Sequence, residues 1–71
     1  MSELLTRITT DPDLMHGRSC IRGLRITVSD VLHLLSAGQS RDDILLDYPY
    51  LEAEDIDAVL AFAARRPKPL A

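Results

Sequence analysis

Downstream of Thr27 the apolar residues change their spacing, and that change limits what this chain can fold into. Val28, Val31, Leu32 and Leu35 stand at i, i+3, i+4 and i+7, the stripe of one helix face, and Ala37-Gly38 supplies a stop. A second helix starts at Ser40, with Asp43 three residues on in a variant of the capping box and Ile44, Leu45 and Tyr48 turned inward. Pro49 prevents its continuation. A third repeats the stripe with Ile56, Val59, Leu60 and Ala63. It carries Glu52, Glu54 and Asp55 near its positive end and Arg65-Arg66 near its negative end, before Pro67 and Pro69 close it. The spacing predicts helices over about 28–37, 41–48 and 53–65 and a frayed tail over 67–71. Thr27 or Ser29 can cap the first of them.

Upstream the pattern is extended. Arg7-Ile8-Thr9-Thr10 is β-prone and stops at Asp11-Pro12-Asp13, which favours a turn. A second extended piece is expected after the Arg22-Gly23 turn, where Leu24, Ile26 and Val28 alternate with Arg25 and Thr27 and leave the latter two on the wet face. Such a ribbon, over about 7–28, is too small to stand alone. It must lie on the helices or pair with another chain, and its exposed edge favours a homodimer. With 71 residues the chain is one domain, 1–71, and at that size it buries roughly 60% of the surface an unfolded chain exposes. The expected fold is mainly α: a short N-terminal β ribbon followed by three helices with a helix-turn-helix. Ile26, Val28, Val31, Leu32, Leu35, Ile44, Leu45, Ile56, Val59 and Leu60 are the candidate core.

The segment over 17–27, Gly-Arg-Ser-Cys-Ile-Arg-Gly-Leu-Arg-Ile-Thr, puts Arg18, Arg22 and Arg25 on a glycine-hinged turn and short strand, an anion-seeking surface. Gly17 and Gly23 read as turn residues and not as a phosphate cradle, because no glycine-rich loop opens a helix here. On a DNA duplex these arginines would meet phosphates or a base edge, with Thr27 beside them and Ser40 and Arg41 at the front of the second helix. The alternative is that they pair inside the fold with Asp11, Asp13 or Asp30. The formal charge of -3 is unevenly spread. Residues 1–41 carry five arginines against four carboxylates, and residues 42–71 carry seven carboxylates against three cations. The front half is therefore the more plausible anion binder. A third helix normally enters the major groove by its N-terminal residues, yet here that end holds Glu52, Glu54, Asp55 and Asp57, which phosphate would repel. Matching the helix dipole accounts for those acids.

No reaction centre is apparent, and no enzyme activity, cofactor or metal is expected. His16, Cys20 and His33 do not complete a tetrahedral metal set, and Cys20 with His16 has no third orienting group. Asp42, Asp43 and Asp47 read as the solvated face of the second helix. One cysteine cannot form an internal disulfide, and no leader or long apolar run marks a signal peptide or membrane span, so a cytoplasmic setting is expected.

Four phrases in order carry a family resemblance: Gly17-Arg18-Ser19-Cys20-Ile21-Arg22-Gly23-Leu24-Arg25-Ile26, then Ala37-Gly38-Gln39-Ser40, then Ile44-Leu45-Leu46-Asp47-Tyr48-Pro49-Tyr50-Leu51, then Glu54-Asp55-Ile56. From about Arg7 to Ala64 the chain resembles the family called domain of unknown function 433, with Ser19 where the family usually has proline and Leu24 where it usually has threonine. The resemblance implies a helix-turn-helix or winged-helix-like fold. It also implies service as the antitoxin of a type II toxin-antitoxin pair: a dimer that masks a PIN-like ribonuclease and represses its own operon through operator DNA. In that setting Arg65, Arg66 and Lys68 would neutralise the metal-binding carboxylates of the toxin, and Phe62, with Leu46 and Leu70, would form an interface patch, the alternative for Phe62 being that it widens the core stripe. A protein-interaction module without DNA binding is the alternative reading.

Overall fold

Thr27 divides the molecule physically as well as in pattern. Its hydroxyl accepts the Asp30 N–H (3.0 Å) while the Asp30 carboxylate accepts the Thr27 N–H (3.0 Å), a reciprocal cap that starts helix α1, Val28–Ser36. The structure is a computed structural model and describes residues 3–65; the tail expected over 67–71, with Arg66 and Lys68, lies outside the described residues. Helix α1 ends at Ser36, and Gly38, two residues on, has a φ of +96 that suits glycine. The Gln39 N–H reaches Leu34 O (3.1 Å) and the Gly38 N–H reaches Leu35 O (3.0 Å), the paired bonds of a Schellman stop. Helix α2, Arg41–Asp47, carries the same reciprocal cap between Ser40 and Asp43. Helix α3 runs Ala53–Arg65. All three helices lie where the stripes place them.

The N-terminal part begins with a 3-10 helix, Glu3–Arg7, continues as strand β1, Ile8–Thr10, and turns at Asp11, whose carboxylate accepts the Asp13 N–H (2.9 Å). Strand β2 is Ser19–Ile21, antiparallel to β1 with Ile8 opposite Ile21, Thr9 opposite Cys20 and Thr10 opposite Ser19. The ribbon's second strand therefore precedes the Arg22-Gly23 turn instead of following it. Both central residues of that turn have positive φ, +48 and +71, and the Leu24 N–H closes it onto Ile21 O (2.8 Å). Beyond that bond the segment after the turn is joined to β2 by Ile21 N–H to Ile26 O (3.1 Å), at an isolated bridge between Cys20 and Thr27. The alternation in 24–28 marks a segment laid on the core, not a full strand.

The core is one cluster made of Ile21, Ile26, Val28, Val31, Ile44, Leu51, Ile56 and Val59. Three corrections to the expected burial follow. Thr27 is buried, not on the wet face, because the cap turns its side chain into the first turn of α1. Leu60 is 43% exposed: α3 buries Asp55, Ile56, Ala58 and Val59, and a face centred on those positions rotates Leu60 outward. Leu32, Leu35 and Leu45 are half-buried at the margin of the cluster. In their place Ile21 and Leu51 complete the core, from a three-residue strand and a post-proline link too short to show periodicity.

Candidate functional site

Asp55 lies one turn into α3 with its side chain fully buried, and two of the arginines that the sequence offers to an anion converge on it instead. Arg22 donates through Nε to Oδ1 (3.0 Å) and through Nη2 to Oδ2 (2.8 Å), and Arg7 donates through Nη1 to Oδ1 (2.9 Å). The Glu52 N–H supplies a further donor to Oδ2 (2.8 Å), which caps α3. Arg22 Nη2 also reaches Tyr50 O (2.8 Å), and Arg7 is shared with the Glu52 carboxylate (2.8 Å). Burial alone would push the Asp55 carboxyl up, but the hydrogen bonds from Arg22, the Glu52 amide and Arg7 outweigh it and hold the group below the usual aspartate range. The Arg22 guanidinium is raised in turn, chiefly by its hydrogen bonds to Asp55. This cluster joins the N-terminal segment, the ribbon turn and α3. The partner of Arg22 is Asp55, not Asp11, Asp13 or Asp30.

Arg41 is similarly engaged, by Asp57 and by the Ala53 carbonyl (3.4 Å), and this ties α2 to α3. Ser40 is exposed but spends its hydroxyl on the α2 cap, and Thr27 is buried. Arg18 and Arg25 are exposed, and among the described residues neither side chain has an ion-pair or hydrogen-bond partner. The six residues expected on one DNA-facing surface thus divide into four with internal duties and two free cations.

Those two cations line separate hollows. Arg25 borders an open cleft of about 400 Å³ lined also by Ile26, Asp30, His33, Leu34, Tyr48 and Tyr50. Arg18 borders one of about 320 Å³ at the start of α1, lined also by Ser19, Ser29 and Phe62. Phe62 is half-buried against the core, Arg65 is exposed at the end of α3, and Arg66 and Lys68 lie outside the described residues. The acids at the front of α3 do not form the carboxylate face expected from sequence. Asp55 is interior, Glu52 and Asp57 hold arginines, and Glu54 is exposed. The acidic surface is instead on α2, where Asp42, Asp43 and Asp47 are exposed around Leu46, itself 81% exposed. Among the described residues no three His, Cys, Asp or Glu side chains gather to hold a metal ion, and no helix is long and apolar enough to cross a membrane.

Residues 8–63 match the model of the family described as a protein of unknown function, DUF433, and the chain belongs to that family. It is also similar to a protein of Sinorhizobium fredii (strain NBRC 101917 / NGR234) described as uncharacterized protein y4eO, with 35% identity over 60 residues. That match covers 84% of this chain and 27% of the relative, so the chain spans about a quarter of the relative's length. No solved structure matches the chain significantly.

Proposed function

We propose that this chain is the antitoxin of a type II toxin-antitoxin pair, a cytoplasmic, dimeric, non-enzymatic domain that neutralises a PIN-like ribonuclease by direct contact. The observation that carries the reading is the surface left once the internal ion pairs are made. Arg7, Arg22 and Arg41 are held by carboxylates, while α2 presents Asp42, Asp43 and Asp47 around a protruding Leu46. An enzyme that grips RNA phosphates offers cations, and a carboxylate face with an apolar knob complements such a surface. Arg65, Arg66 and Lys68 are placed by the same reading against the toxin's metal-binding carboxylates, with Phe62 and Leu70 at the rim of the contact. Operator binding, the second half of the antitoxin role, rests on Arg18 and Arg25. The internal engagement of Arg22, Thr27, Ser40 and Arg41 favours the narrower form of the proposal, in which the chain binds protein and not DNA.

Co-expression with the product of the neighbouring gene, followed by purification and an RNA-cleavage assay, tests the proposal. Co-elution and a stoichiometric loss of cleavage are expected. A ribonuclease that stays fully active in excess of this chain overturns it. Fluorescence anisotropy with the duplex upstream of the gene, beside a scrambled duplex, decides between the wider and narrower forms.

A further inference from the structure

The cleft bordered by Arg25 has three properties that the proposed partner contact does not use. It is lined by an edge-to-face tyrosine pair, Tyr48 and Tyr50, with ring centroids 6.1 Å apart and planes at 82°. That arrangement covers one face of one ring only, and Tyr50 is 51% exposed, so an aromatic face is left for a flat ligand. Arg25 offers an uncommitted guanidinium fork, and His33, which also lines the cleft, adds a ring nitrogen. Asp30 spends Oδ2 on the Thr27 N–H, while its Oδ1 has no hydrogen-bond partner among the described residues. The volume of about 400 Å³ lies within the ordinary range of small-ligand sites.

We infer that this cleft binds a base–phosphate unit: the base stacks on Tyr50, the phosphate lies on Arg25 and His33, and Asp30 Oδ1 accepts from an exocyclic amine or a ribose hydroxyl. Each group of the cleft then meets the complementary part of one ligand class. A stacking face beside a guanidinium is the recurring means of holding an unpaired nucleotide. The hollow beside Arg18 lacks that combination, since its aromatic ring is Phe62, packed on the core. A duplex keeps its bases stacked and cannot supply the unit. The ligand is a free mononucleotide or an exposed base of a single strand. The inference is independent of the partner reading: failure to neutralise a ribonuclease leaves it untouched.

The test is amide-shift mapping of the isotopically labelled full chain titrated separately with AMP, UMP and a single-stranded RNA hexamer, with a hairpin-free DNA duplex as control. Shifts confined to 25–34 and 48–50 are expected. Tyr50→Ala should weaken binding by roughly tenfold, the size of one stacking contact, and Arg25→Ala should weaken it and reduce its dependence on salt, while Arg18→Ala leaves it unchanged. Both substituted residues are exposed, and circular dichroism is the check that each variant folds. A hexamer that binds much more tightly than either mononucleotide identifies the strand as the source, and equal affinity identifies the free nucleotide. Absence of shifts in those segments at millimolar ligand, or binding indifferent to both substitutions, overturns the inference.

Discussion

Asp55 is the residue on which the N-terminal third of the chain depends, because its buried carboxylate receives Arg7, Arg22 and the Glu52 amide at once. Asp55→Asn keeps the shape, removes the charge and forces an amide NH₂ toward two guanidinium groups. Breaking a buried pair from one side costs about 3–5 kcal/mol. The arginine side chains keep 27% and 34% exposure and can partly rehydrate, which points to the low end, about 3 kcal/mol, read as a lower urea midpoint. The same carboxylate sets an acid dependence. Its folded-state pKa lies below the unfolded one, so its contribution is present above the ordinary aspartate value of about 3.9 and is lost as pH falls from there through the lower folded value. The stability gap between the natural chain and Asp55→Asn should therefore be constant near neutrality and narrow below about pH 4. A gap that does not narrow with falling pH would show that the loss in Asp55→Asn comes from the amide NH₂ forced against the guanidinium groups and not from the missing charge.

Helix α2 has seven residues, too few to hold as an isolated helix, so its cap and its packing must support it. Ser40→Ala removes the hydroxyl that accepts the Asp43 N–H and should cost about 1 kcal/mol, whereas Ser40→Gly should cost only a few tenths. Urea titration of the two variants separates them, and equal losses would mean that the cap is idle. Local devices of this kind are why the helices were legible before the fold. The expected ends at 37 and 48 fall one residue past the observed Ser36 and Asp47, Ser40 announces the second start, and of the two candidates for the first, Thr27 and Ser29, it is Thr27 that caps. The second strand was not legible, because Leu24, Ile26 and Val28 alternate for contact with the core and not for a ladder. Nor was the fate of Arg22, whose partner is 33 residues away, beyond any local rule. Exposure of Arg25 did follow from alternation, while its neighbours Tyr48 and Tyr50 join it only through the fold.

At the scale of the whole molecule, charge decides how far DNA binding can go. Residues 3–65 carry six arginines against eleven carboxylates, and Arg7, Arg22 and Arg41 are already neutralised by neighbours. Each phosphate contact contributes a slope of about -0.9 to the fall of log affinity with log salt. Contacts limited to Arg18 and Arg25 therefore give a slope of about -2 per chain, and about -4 for a dimer on two half-sites. Arg18→Ala and Arg25→Ala should each reduce the magnitude by about 1 per chain, and Arg22→Ala should leave the slope unchanged while lowering the unfolding midpoint. Anisotropy across a salt series with the upstream duplex measures all three. A slope well steeper than this that falls on Arg22→Ala would mean that the duplex displaces Asp55 from its arginine. In that event the ribbon turn would be a DNA-reading element and not the clamp that holds α3.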